Sequence, residues 1–211
     1  NVQQRSDTVI IDYMNYKVFI AVISVIMTLV AYVYYFRDIF AGKTKPHAFS
    51  WLVWFSLTAI AFAGQISENA GPGAWVTGVT AAVSFVIFLL AFAKGEKNIT
   101  KSDKLNLLGA AIALGLWFIT SSPLLSIILI TIVDFLGFLP TIRKSYHKPH
   151  EETLITYLLS GIKFFLSILA LENYSIVTWL YPASLVIANL LFVVMLKIRR
   201  NQMLIEIDRP F

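Results

Sequence analysis

Residues 18–36 read VFIAVISVIMTLVAYVYYF, an apolar run without a single charged side chain. A helix needs about 20 such residues to cross the hydrocarbon layer of a membrane. The whole chain of 211 residues is 58% hydrophobic and 14% charged, which would leave a water-soluble domain covered in apolar surface. We therefore predict an all-α integral membrane protein with seven transmembrane helices. Their predicted spans are 16–36, 48–66, 74–93, 105–121, 123–143, 153–171 and 174–197.

The charges between the apolar runs predict how the helices are oriented. Most of the 17 basic residues follow the odd-numbered spans, whereas the loops after the second and sixth spans carry Glu68 and Glu172 and no basic residue. Basic loops stay on the cytoplasmic side of a membrane. We expect a multi-pass plasma-membrane protein with its N-terminus outside and its C-terminus in the cytoplasm. Residues 1–15 would form an outer segment, and residues 198–211 a cytoplasmic tail.

Composition and motifs exclude several classes of protein. The net charge of +5 comes from basic residues dispersed in short loops, so we expect no nucleic-acid partner. The chain has no cysteine, which excludes disulfides and thiolate metal sites. His47, His147 and His150 fall in predicted cytoplasmic loops, where solvated side chains are expected rather than a metal site. Neither H-E-x-x-H nor G-x-S-x-G occurs, so we expect no enzyme and no cofactor.

An internal repeat organises the spans. The tripeptide Lys-Pro-His at 45–47, before the second span, recurs at 148–150, before the sixth, and Trp75 and Trp179 then open the third and seventh spans. A copy of three helices needs one linker helix before a second copy can follow in the same orientation. We predict a parallel 3+1+3 arrangement. Its parts are a first triple-helix repeat at 16–93, a linker helix with flanking loops at 94–122, and a second repeat at 123–197.

The fifth span ends in Leu-Pro-Thr-Ile-Arg-Lys at 139–144. This segment resembles the motif that ends the first helix of each repeat in the PQ-loop superfamily, with Thr141 in the place of the namesake glutamine. Arg-Asp at 37–38 occupies the corresponding place in the first copy, so a proline hinge is predicted in the second copy alone. The superfamily includes the SWEET-like (MtN3-type) sugar transporters and the KDEL receptor, and the chain is most similar to small bacterial members.

The resemblance implies both a mechanism and site residues. Transporters of this kind work by alternating access, in which two triple-helix bundles open in turn to each side of the membrane. Pro140 and Pro182 are the expected gating residues. Asn189 in the seventh span resembles the pocket asparagine of SWEET proteins, and Ser84 lies near the matching position of the first copy.

Two charged residues lie inside predicted spans, at similar depths. Asp134 lies about 13 Å from the cytoplasmic end of the fifth span, and Lys163 lies about as deep in the sixth. Each charge costs at least about 2.5–3.5 kcal/mol at that depth, so an ion pair between them is the simplest expectation. The pair would act either as a proton- or substrate-responsive switch or as a static structural contact.

Neutral polar groups and one tryptophan complete the expected site. Gln65, Thr77, Thr80, Ser84 and Asn189 could hydrogen-bond a polar uncharged solute, although such residues also hold helices together. Tryptophans at the span ends are by default interfacial anchors. Trp54 lies deeper than the others and is the expected pocket wall.

We therefore expect a transporter of a small polar solute, sugar-like or vitamin-like, with proton linkage through Asp134 and Lys163 as one option. A ligand- or cargo-binding receptor with the fold of the KDEL receptor is the alternative. The expected partners are the lipid bilayer and a small-molecule solute, and a homo-oligomer is compatible with the sequence.

Overall fold

The computed structural model describes residues 2–42, 46, 48–94, 101–120, 122–147, 149 and 154–207. In these residues the chain forms seven α-helices and one short 3-10 helix, Gly71–Ala74, so the predicted all-helical class is confirmed. The α-helices are α1 Val2–Phe40, α2 Ala48–Ser67, α3 Trp75–Lys94, α4 Lys101–Thr120, α5 Pro123–His147, α6 Leu154–Leu169 and α7 Ile176–Ile207.

The helices begin and end close to the predicted spans, with two exceptions. α1 already begins at Val2, within the predicted outer segment, and α7 continues to Ile207, within the predicted tail. Neither extension contains glycine or proline, the two residues that most disfavour a helix interior. Apolar content therefore predicted where the helices lie, whereas helix propensity accounts for these two longer ends.

Many large apolar side chains remain exposed on the helices, as expected for surfaces that face lipid. By length and composition, four helical segments in the described part of the chain could cross a membrane: Tyr16–Arg37, Ser50–Ser67, Gly71–Lys94 and Ile176–Met203. The apolar segments Pro123–Phe138 of α5 and Leu154–Leu169 of α6 are shorter. These features are compatible with a membrane protein.

The helices fall into two sets of three, which we call the first half (α1–α3) and the second half (α5–α7). In the first half α3 packs against both α1 and α2, and in the second half α7 packs against both α5 and α6. Across the halves α1 packs on α6 and α2 packs on α5, while α4 packs on α2 and α5. The largest buried apolar cluster, which includes Leu57, Ile130 and Tyr181, lies where α2, α5 and α7 meet.

Two loops, which we call the paired loops, bind each other at one end of the bundle. They are residues 68–74, between α2 and α3, and residues 170–175, between α6 and α7. The backbone N–H of Glu172 donates to the carbonyl of Ala70 at 3.0 Å, and the Asn173 side chain donates to the carbonyl of Glu68 at 2.9 Å. The two halves are thus joined at this end partly through backbone groups.

Gly73 permits the close approach of the paired loops. A Cβ atom on this residue would lie 2.6 Å from Leu171 Cδ2 and 2.7 Å from the Leu171 backbone nitrogen. Both distances are far shorter than a normal van der Waals contact, and the backbone atom could not move aside without moving its loop. Any larger residue at position 73 would therefore push the loops apart.

Candidate functional site

Lys163 of α6 reaches from the second half into the first. Its side chain is only 4% exposed. The ammonium nitrogen Nζ donates a hydrogen bond to Thr80 Oγ1 of α3 at 3.4 Å and lies 5.2 Å from the centre of the Tyr32 ring of α1. An ammonium group over an aromatic face is attracted by the electron density of the ring. Lys163 therefore contacts two helices of the other half at once.

The three polar residues of α3 that the sequence predicted lie on one face of this helix, and one of them, Thr80, bonds Lys163. Thr77, Thr80 and Ser84 are all buried, and their spacing places them along one side of the helix. The Ser84 side chain is hydrogen-bonded with Tyr32. Thr77 Oγ1 is buried and has no hydrogen-bond partner in the described part of the chain. One face of α3 thus carries three buried hydroxyl groups, and that of Thr80 contacts the second half.

Asp134 lies in a different environment from Lys163. It is half-buried on α5 and close enough to Tyr181 of α7 to interact with it electrostatically, and Tyr181 in turn interacts with Tyr32. No ion pair joins Asp134 to Lys163, and both residues belong to described helices, so this conformation differs from the predicted direct pair. The physical reason is the helix order: α7 packs against both α5 and α6, and Lys163 is turned toward α1 and α3.

The predicted gating residue Pro182 is buried inside α7. Proline has no backbone N–H, so the carbonyl one turn earlier, that of Thr178, loses its normal helical partner. Gln65 of α2 supplies the replacement: its Nε2 donates to the Thr178 carbonyl at 2.8 Å. The bend-prone point of α7 is therefore held by a side chain from the first half.

The sequence identified Gln65 only as one of several neutral polar groups. The sequence did contain a signal for a donor at this point of α7, because Pro182 leaves one helix carbonyl without its N–H partner. Which helix would supply the donor depended on tertiary packing. Gln65 Oε1 is itself buried and has no hydrogen-bond partner among the described residues.

The remaining predicted site residues make no described contact with Lys163 or with the Gln65–Thr178 bond. Trp54 is 44% exposed, whereas Trp51, predicted only as an interfacial anchor, is 7% exposed. It is Trp51 that contacts the Tyr35 ring, with centroids 5.2 Å apart. Asn189 is half-buried and donates to the Leu185 carbonyl of its own helix at 2.7 Å. Pro140 falls within α5, but its side chain lies outside the described residues.

Hydrogen bonds between the halves extend from the paired loops to Lys163. Besides the contacts above, Ser167 of α6 donates to the Gly73 carbonyl at 3.0 Å, and the ammonium of Lys17 in α1 donates to the Leu171 carbonyl. Polar groups therefore line this interface from the paired loops to the middle of α6. Comparisons with protein-family models, with curated proteins and with solved structures gave no match.

Proposed function

We propose that the chain is a seven-span transporter of the PQ-loop, SWEET-like class, carrying a small polar solute by alternating access between its two halves. The solute would be sugar-like or vitamin-like. In this proposal the N-terminus and the paired loops lie outside the cell, and the C-terminus lies on the cytoplasmic side of the plasma membrane. The distribution of basic residues favours this orientation. The function is transport rather than catalysis.

The arrangement of helix neighbours supports a parallel 3+1+3 repeat. In each half the third helix packs against the first and the second. Across the halves, α1 packs on α6 just as α5 packs on α2, so exchanging the halves reproduces the same set of neighbours. Two similar bundles joined by α4 would surround a central site, which is the arrangement that alternating access requires.

The observation that carries the proposal is the burial of Lys163 between the halves. An ionisable group at this depth is costly, and such groups in membrane proteins typically mark solute or proton pathways. Lys163 contacts a hydroxyl group and aromatic rings rather than a carboxylate in this conformation. When the halves rearrange, its ammonium group is thus available to pair with Asp134, to release a proton or to bind a polar group of the solute.

The paired loops support a conformation closed on the outer side. Bonds from Glu172, Asn173 and Ser167 to first-half carbonyls join the halves there. In an alternating-access cycle these bonds would break as the outer side opens, while contacts at the other end form.

A ligand screen followed by flux measurements tests the proposal. Purified protein is first heated with sugars and vitamin-like compounds, because a specific ligand raises the melting temperature by mass action. A compound that stabilises the protein is then offered to proteoliposomes. We expect protein-dependent uptake that is lost in Lys163→Met and retained in Lys94→Met, whose side chain is exposed.

Two outcomes would change the assignment. Stabilisation by a ligand without any flux would favour the receptor alternative over transport. If Asp134→Asn left uptake and its pH dependence unchanged, the proton-linked switch would be abandoned, although transport itself would stand.

A further inference from the structure

A groove of about 310 Å³ lies where the end of α5 meets the last turns of α7, at the opposite end of the bundle from the paired loops. Residues that line it include Tyr146, Leu191, Val194, Ile198, Arg199 and Gln202.

The long wall of the groove is an apolar strip. Leu191, Val194 and Ile198 are 64%, 52% and 51% exposed. Their spacing puts them on one face of α7, along about 10 Å of its length. In a membrane this strip lies against an acyl chain and not against water.

The polar end of the groove lies at a membrane boundary. Trp179 opens the apolar part of α7, and tryptophan prefers the membrane interface. Arg199 follows about 20 residues later on the same helix, which is a distance of about 30 Å, the thickness of the hydrocarbon layer. Arg199 therefore lies at the level of the lipid phosphates, in the inner leaflet if the proposed orientation holds.

Arg199 is held in place at this level. Its Nε donates to the Tyr146 carbonyl at 3.0 Å, its Nη1 donates to Gln202 Oε1 at 2.6 Å, and its guanidinium lies 4.3 Å from the centre of the Tyr146 ring. A guanidinium has further N–H donors besides these two. No acidic side chain lines the groove in the described part of the chain. The groove thus combines a fixed positive charge with an apolar wall.

We propose that this groove binds an anionic phospholipid, with one acyl chain along Leu191, Val194 and Ile198 and the phosphate on the Arg199 guanidinium. Charge and shape both favour this occupant. Basic groups near the cytoplasmic surface attract anionic headgroups, and arginine binds phosphate through parallel hydrogen bonds. The inference needs membrane insertion but not the transport activity, so either can fail without the other.

Native mass spectrometry of the full-length protein tests the site, with phosphatidylglycerol and phosphatidylcholine of the same acyl chains as probes. We expect tighter binding of phosphatidylglycerol, and Arg199→Gln should weaken that binding about fivefold or more. Lys197→Gln is the matched control, because Lys197 is an exposed cation two residues away that does not line the groove. It should change the affinity less than twofold.

A second variant keeps the test decisive if Arg199→Gln fails to fold. Val194→Trp would fill the groove beside the apolar wall while leaving Arg199 in place. It should therefore weaken the binding of both lipids. The proposal is overturned if both lipids bind equally well, or if Arg199→Gln and Lys197→Gln have the same effect. It is also overturned if inorganic phosphate competes as strongly as the lipid, or if Arg199→Gln changes the oligomeric state instead of lipid binding.

Discussion

At the scale of single residues, two lysines are buried in the described part of the chain, and their hydrogen-bond acceptors differ. Lys17 and Lys163 are each 4% exposed. Lys17 donates to the Leu171 carbonyl of the paired loops and lies 5.8 Å from the centre of the Tyr174 ring. Lys163 contacts Thr80 and aromatic rings but no backbone carbonyl. Lys17 therefore satisfies a structural acceptor, whereas Lys163 keeps a charge where stability alone does not require one.

Replacing each lysine by methionine should separate these roles. Lys163→Met should stabilise the fold by about 1–2 kcal/mol, because it removes a buried charge at similar volume. Lys17→Met should destabilise it by about 1–3 kcal/mol, because the Leu171 carbonyl loses a donor. Denaturant unfolding in detergent measures both changes. Loss of stability in Lys163→Met would instead make this residue a structural one.

Gln65 and Pro182 allow a sharper test through a double-mutant cycle. Gln65→Leu should cost about 1–3 kcal/mol, because the Thr178 carbonyl is left without a donor. In a Pro182→Ala background the restored backbone N–H can bond that carbonyl. Gln65→Leu should then lower the free energy of unfolding by about 1 kcal/mol less than in the original protein. Ser56→Ala on the same helix is the control, since Ser56 bonds only the Leu52 carbonyl of α2. Equal costs in both backgrounds would show that Gln65 and Pro182 act independently.

At the scale of elements, the sequence predicted the helices well and their rotation poorly. Apolar runs and basic loops located seven helices because length and composition decide whether a helix can cross a membrane. Counting residues predicted similar depths for Asp134 and Lys163, but it did not predict which residues they contact. Counting cannot tell which helix lies between two others. Trp51 and Trp54 illustrate the same limit, because a nearly all-apolar helix carries little information about which face is buried.

Gly73 offers a prediction at this scale. Gly73→Ala should force the paired loops apart, because the new Cβ would meet the Leu171 backbone. Since the chain has no cysteine, Thr77→Cys can report the opening by its reaction with a membrane-impermeant maleimide. We expect the maleimide to label Gly73→Ala about tenfold faster than the protein with Gly73. This corresponds to a shift of about 1.4 kcal/mol in the equilibrium toward open loops.

Gly115→Ala is the control for this experiment, because a Cβ at Gly115 meets no atom within 4 Å. It should leave the labelling rate unchanged. Unchanged labelling in Gly73→Ala, with the protein still folded, would mean that the paired loops do not control access to Thr77.

At the scale of the whole molecule, the proposed orientation makes a direct prediction. Tyr174 lies in the paired loops and Asn201 lies near the end of α7, and both side chains are exposed. In intact cells, a cysteine at position 174 should react with an impermeant reagent, whereas one at position 201 should react only after permeabilisation. The reverse pattern would invert the assigned topology while leaving the fold unchanged.

In the proposed transport cycle, the bond from Gln65 to the Thr178 carbonyl would link gating to hydration. Moving α2 away from α7 removes the donor from a carbonyl that Pro182 has already deprived of its helical partner. Lipid cannot replace that donor, and only water or a polar solute can. If the halves separate at this end as proposed, water must therefore enter, and exclusion of water would hold the two halves together.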